Sequence, residues 1–148
     1  MLHHCYRKWC TAVTKNAALY LTENAAFAVT VNTKCCAQNK NLRLCVSNPC
    51  FELWLLLHIE DVSLYSDENK RALSANRKCS RHKTLIKQKL SELLNGYNEA
   101  NYNASSFLPY IDDAIERAVK LDINPEDRWP QTVGTRAYLL AKSIMGKE

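Results

Sequence analysis

Carboxylates are scarce where a carboxylate-built site would need them. Before Glu52 the only acidic residue is Glu23, and from Lys70 to Lys89 there is none. A metal centre assembled from several acids therefore has few candidates in the first part of the chain. Paired CxxC motifs are absent too, so His3, His4, Cys5 and Cys10 offer zinc-ligand residue types without a second half-site. The seven cysteines are an odd number, scattered as Cys5, Cys10, Cys35, Cys36, Cys45, Cys50 and Cys79. That pattern argues against a disulfide framework and for reduced thiols, with Cys35 and Cys36 as small apolar residues on a helix. No apolar run is longer than Leu53 to Leu57, far short of the roughly 20 residues a membrane span needs. The amino terminus, with His3, His4, Arg7 and Lys8, lacks an apolar core followed by a small-residue cleavage site. The expectation is a cytoplasmic protein that does not enter the membrane.

What is present suits one domain over 1–148. A hydrophobic content of 47% supplies a core, and no repeat, low-complexity tract or interdomain linker interrupts it. The organising stretch is Asn41 to His58, "NLRLCVSNPCFELWLLLH". It reads as a short buried strand, Leu42 to Val46, running into a helix of high hydrophobicity. Pro49 suits the first helical position and Asn48 the cap before it. Phe51, Trp54, Leu55 and His58 share one helical face while Leu53, Leu56 and Leu57 cover the rest, so the helix is expected to be buried nearly all round. Glu52 lies in its first turn. An acid there is either a partner of the helix dipole or a functional group.

Upstream, Ala17 to Leu21 reads as a strand ending at Thr22-Glu23-Asn24, and Ala25 to Gln38 as a helix, because Ala25, Ala28 or Val29, and Cys35 or Cys36 recur near helical spacing. The order β-α-β-α favours a parallel α/β sheet. After His58, Glu60 to Asn69 reads as a polar loop. Leu85, Ile86, Leu90, Leu93 and Leu94 then mark one face of a helix ending near Gly96. Tyr97 to Ser105 is an Asn-rich loop. Ser105 or Ser106 opens a helix with Ile111, Ala114, Ile115, Ala118, Val119 and Leu121 inward, and Asp112, Asp113, Glu116, Arg117 and Lys120 in water. Asn124-Pro125 breaks it, and a final helix runs from about Thr132 to Met145 with Val133, Ala137, Leu140, Ala141 and Ile144 as its apolar side.

"SNPCFELWLLLH", Ser47 to His58, resembles the signature of the RloB-like family, which is associated with restriction-modification and abortive-infection loci. Ala114, Ile115 and Ala118, and the Thr132-Val133 start of the last helix, extend a looser similarity from about Leu42 to the end. The resemblance implies a Toprim-like, Rossmann-like parallel sheet of few strands with a mainly helical carboxyl-terminal half. It further implies an anti-phage role beside a neighbouring AAA-type ATPase, and a site in which carboxylates hold Mg²⁺ against a phosphodiester. Hard Mg²⁺ favours a few carboxylates plus phosphate oxygens, which is why such sites use acids. On this sequence the family's acidic pair falls at Thr22-Glu23-Asn24, where Glu23 alone is acidic. No acid precedes it, which implies an amino-terminally truncated or divergent member.

The candidate site is therefore Glu52 and Asn48 at a strand's carboxyl end, where open α/β sheets bind ligands, with Glu52 and Glu23 as metal ligands. Arg77, Lys78, Arg81, Lys83 and Lys87 are the candidates for nucleic-acid phosphate contact, set against the plainer reading of a solvated charged face. Trp54 reads as core and His58 as a structural histidine. Two functions follow: a Toprim-like metal-dependent nuclease of a defence system, or a catalytically inactive adaptor that docks to a partner ATPase or binds nucleic acid. The oligomeric state is left open.

Overall fold

A computed structural model describes residues 45–81, 83–127 and 129–147. The expected strand at Ala17 to Leu21, the expected helix at Ala25 to Gln38 and Glu23 lie outside the described residues. So does all but the end of the Leu42 to Val46 strand, and Cys45 and Val46 precede the observed strand rather than form it. The elements run β1 (Ser47–Asn48), α1 (Glu52–Leu57), a 3-10 turn (Val62–Leu64), α2 (Asp67–Ala75), α3 (Leu85–Leu93), a 3-10 segment (Ala104–Tyr110), α4 (Ile111–Leu121), β2 (Gly134–Thr135) and α5 (Ala137–Met145). The described fold is mixed α/β and mostly helical.

Its sheet differs from the expected parallel one. Among the described residues it has two strands, β1 and β2, paired antiparallel with Ser47 opposite Thr135 and Asn48 opposite Gly134. A parallel neighbour for β1 would have to come from the segment before residue 45. The pairing is reinforced by a buried hydrogen bond of 2.6 Å between Ser47 Oγ and Thr135 Oγ1, and by the Arg136 amide donating to the Val46 carbonyl. Gly134 is needed for the close approach: a Cβ there would sit 3.3 Å from Pro130 Cβ and 3.4 Å from the Leu121 carbonyl.

α1 is the hub. Leu53, Leu56 and Leu57 have no exposed surface, and Trp54 and Leu55 are nearly as buried. Each such side chain contributes about 1.5–3 kcal/mol through burial. α1 lies against α3 and α4, and α4 in turn against α5. The start of α1 is a correction to the sequence reading. The Asn48–Pro49 peptide is cis, Pro49 is outside the helix, and the helix begins at Glu52 with Phe51 before it and no side-chain cap. Asn48 faces elsewhere, as described below.

Other boundaries moved for local reasons. The polar stretch expected as a loop up to Asn69 already contains most of the first turn of α2, because Ser66 Oγ accepts from the Asn69 amide and Asp67 and Glu68 complement the helix dipole. Only Leu73 of α2 is buried, so the helix lacks the apolar stripe that periodicity detects. In α3, Ile86 and Leu90 are fully buried but Leu93 is exposed. In α4, Ala114, Ala118 and Leu121 point inward as expected, whereas Val119 is 47% exposed. Arg117, expected in water, instead donates to the Leu57 carbonyl at 2.7 Å, satisfying an end carbonyl of α1. The last helix is shorter than expected. Val133 is buried ahead of β2, and α5 starts only at Ala137.

Candidate functional site

Glu52 is the first residue of α1, and its side chain is mostly buried, with 13% of its surface exposed. Among the described residues its ion-pair partner is Lys87 on α3, whose Nζ lies 3.6 Å from Glu52 Oε1 and also pairs with Glu99. Burial opposes the Lys87 charge. The hydrogen bond to Glu99 and the charges of Glu52 and Glu99 outweigh it and hold Lys87 above its ordinary value. Cys50 and Tyr97 feel the same carboxylate. Burial, followed by the Glu52 charge and hydrogen bond, pushes the Cys50 thiol up to about 12, and burial followed by the Glu52 charge also raises Tyr97. Glu52 is thus a carboxylate balanced by an ammonium and flanked by a thiol and a phenol that remain protonated near neutrality.

That arrangement does not by itself fit Mg²⁺. Among the described residues no three His, Cys, Asp or Glu side chains come together, and the Glu52 charge is already met by Lys87. Glu23, the other expected ligand, lies outside the described residues. Asn48 is committed to structure as well. Its Nδ2 donates to the Pro130 carbonyl at 3.1 Å and to the Thr132 carbonyl at 2.9 Å, which uses both amide hydrogens to tie β1 to the segment leading into β2.

The basic candidates fall into two groups. Lys78 and Thr84 form an isolated antiparallel bridge, the Leu85 amide donates to Arg77 O, and the Cys79 amide donates to Lys83 O. This hairpin carries Arg77, Lys78, Arg81 and Lys83, all exposed, and none of the four makes an ion pair among the described residues. Lys83 Nζ donates to Ser91 Oγ at 2.7 Å. Lys87 is different, half-buried and tied to two carboxylates. The hairpin is fixed from below by Asn76, in the left-handed conformation at φ 40°. Its Oδ1 accepts from the Ile86 amide at the start of α3, and its Nδ2 approaches Cys50 Sγ at 3.5 Å.

His58 is structural. Its Nδ1 donates to the Trp54 carbonyl at 2.8 Å, and its ring meets Trp54 and Phe107 edge-on at 4.8 and 5.4 Å between centroids. Burial, aided by the Arg117 charge, holds it below its ordinary 6.5. Sequence reasoning missed a second buried cluster. Arg136 Nε lies 3.1 Å from Asp122 Oδ2, and Tyr138 donates to the same oxygen at 3.0 Å. Arg136 also donates to the carbonyls of Asn124 and Asp127. The carboxylate and guanidinium side chains are 3% and 8% exposed, and Tyr138 is raised to about 12 by burial and then by its bond to Asp122. A charged residue on each side of the Asn124-Pro125 break was the only available signal.

The protein is an RloB-like protein by family: the model of that family matches residues 21–144, and the chain belongs to it. No curated protein and no solved structure matches the chain. No helix among the described residues is long and apolar enough to cross a membrane.

Proposed function

We propose that this RloB-like chain is a nucleic-acid-binding component of a bacterial or archaeal anti-phage defence system, acting in the cytoplasm with a partner ATPase of the AAA type. One observation carries the binding part of this reading: Arg77, Lys78, Arg81 and Lys83 stand exposed on one hairpin without a carboxylate partner among the described residues. Exposed cations that are not neutralised by the protein are available to replace counterions on a phosphate backbone. The defence role and the ATPase rest on family membership alone. Fluorescence anisotropy with a labelled single-stranded RNA, comparing the wild type with the Arg77→Ala/Lys78→Ala/Arg81→Ala variant, tests the binding. Loss of most of the affinity supports the reading, and an unchanged affinity removes it.

A second reading is the finer one that the resemblance implies, a Toprim-like nuclease with a parallel sheet completed upstream of residue 45 and Mg²⁺ on Glu52 and Glu23, near Asn48. It is favoured by Glu52, a mostly buried carboxylate within the residues that the family model matches. It requires Glu52 to exchange its Lys87 partner for a metal. A Mg²⁺-dependent cleavage assay on tRNA, single-stranded and duplex substrates separates the two readings. Cleavage by the wild type that disappears in Glu52→Gln supports the nuclease, whereas a wild type that binds but never cleaves leaves the adaptor.

A further inference from the structure

α3 ends in a sharp reversal. Asn95 and Gly96 take positive φ angles of 52° and 126°, and the Gly96 amide donates to the Ser91 carbonyl at 2.8 Å. The Asn-rich loop beyond that turn lines a cavity of about 390 Å³, within the roughly 300–1,000 Å³ range of small-molecule sites. Tyr97 and Tyr102 stand on its wall as a packed pair with ring centroids 5.9 Å apart, and Phe107 meets Tyr102 edge-on at 6.1 Å. Both tyrosines are half-buried, so the pair is fixed by the fold yet reachable from the cavity. Asn98, Asn101 and Asn103 share the wall. Asn98 and Asn103 use Oδ1 to accept from the Ala100 and Ser105 amides at 2.9 and 3.1 Å, whereas their Nδ2 groups and the whole Asn101 side chain make no hydrogen bond among the described residues. Lys83 completes the wall. Its Nζ donates to Ser91 Oγ at 2.7 Å, which holds the ammonium in place with donors to spare. Among the described residues no carboxylate lines the cavity, and Glu99, in the same loop, is paired with Lys87.

From this juxtaposition we propose that the cavity receives one unstacked base of a single-stranded nucleic acid, seated against the Tyr97–Tyr102 pair, with Lys83 on the adjoining phosphate. The inference rests on the reading of the basic hairpin as a nucleic-acid surface and deepens it. Lys83 belongs both to that hairpin and to the cavity wall, so the two features are continuous. A strand whose backbone follows Arg77, Lys78 and Arg81 reaches the cavity at Lys83. Aromatic rings beside a basic track are the means by which single strands are held, because every base has a face to stack and only an unpaired base can offer it. Amide side chains both donate and accept, which matches the mixed donor and acceptor edge of a base. A purely apolar ligand would leave Asn98, Asn101 and Asn103 without partners, and a plain anion would make no use of the rings.

The test compares, by fluorescence anisotropy with the full-length chain, a short single-stranded RNA and a strand of the same length built from abasic residues. The phosphates are the same in both, so the hairpin alone treats them alike. The expected result is about tenfold weaker binding of the abasic strand, the size of one base–aromatic stack. Tyr97→Leu, which keeps bulk without a ring, and Asn101→Ala, at an exposed side chain with no hydrogen bond to lose among the described residues, should each narrow that ratio. The ratio is read within one protein, so a general loss of binding by a poorly folded variant does not mimic the effect, and Asn101→Ala carries the test if Tyr97→Leu fails to fold. Equal affinity for the two strands, with binding still lost in Arg77→Ala/Lys78→Ala/Arg81→Ala, overturns the base pocket and leaves the hairpin standing. A ratio unchanged in both pocket variants also overturns it, since the base is then held elsewhere. Binding of neither strand by the wild type removes the hairpin reading and the pocket together.

Discussion

Replacing Arg136 by Met removes the guanidinium that holds the loop between α4 and β2, while leaving a side chain of similar length to fill its space. In the wild type that group serves Asp122, with Nε 3.1 Å from Oδ2, and the Asn124 carbonyl at 2.9 Å, and it also bonds the Asp127 carbonyl. After the substitution, the Asp122 carboxylate, 3% exposed, keeps among the described residues only the Tyr138 hydroxyl at 3.0 Å. Stranding a buried charge in this way costs about 3–5 kcal/mol, a large part of the roughly 5–15 kcal/mol that stabilises a domain. Adding Asp122→Leu removes the stranded charge and should recover much of that loss, because a buried pair contributes little over an apolar replacement. Urea unfolding followed by circular dichroism measures both variants. A loss below about 1 kcal/mol in Arg136→Met, or a double variant less stable than the single one, would refute the reasoning.

Cys50, with its thiol raised to about 12, should carry about a thousandfold less thiolate than a cysteine at the ordinary 9.0, so at pH 8 iodoacetamide should label exposed Cys79 well before it. Glu52→Gln should speed Cys50 alkylation, as read by mass spectrometry, and equal rates with and without Glu52 would contradict the placement of that carboxylate. For His58 the folded value lies below the unfolded 6.5, so the unfolded chain takes up the proton more readily. The stability that neutral His58 provides is complete above pH 6.5 and is lost as pH falls from there toward the lowered folded value; unfolding curves for His58→Phe should lack that component, and an identical pH profile would exclude it. Asn48→Ala should destabilise by about 1–3 kcal/mol, since two carbonyls lose their donor, and a neutral thermal shift would show that the Pro130 and Thr132 bonds do not matter.

What could be read from the sequence was what is local. α1 was legible because Leu53 to Leu57 leaves no polar face for water, and α4 because Ala114, Ala118 and Leu121 repeat at helical spacing. α2 was hidden because only Leu73 is buried on it, so nothing periodic announced it. The site was harder, since its decisive contacts join distant residues. Asn48 reads as a helix cap from its neighbours, yet the carbonyls that claim it lie 82 and 84 positions later. Lys87 reads as one of a run of free cations, yet the fold turns it toward Glu52 and Glu99, while its neighbours on the hairpin make no ion pair among the described residues. The antiparallel partner of β1 was equally invisible, because two-residue strands carry no alternation to read.

The most direct test of a phosphate-binding hairpin is the salt dependence of single-stranded RNA binding. Four cations that each replace a counterion give a slope of log K against log salt near about −2.8, or roughly 50-fold weaker binding at 200 mM than at 50 mM. Removing Arg77 and Arg81 together should flatten that slope by about 1.4. Binding that ignores ionic strength, or a slope unchanged in the double variant, would contradict the assignment of the hairpin to nucleic acid.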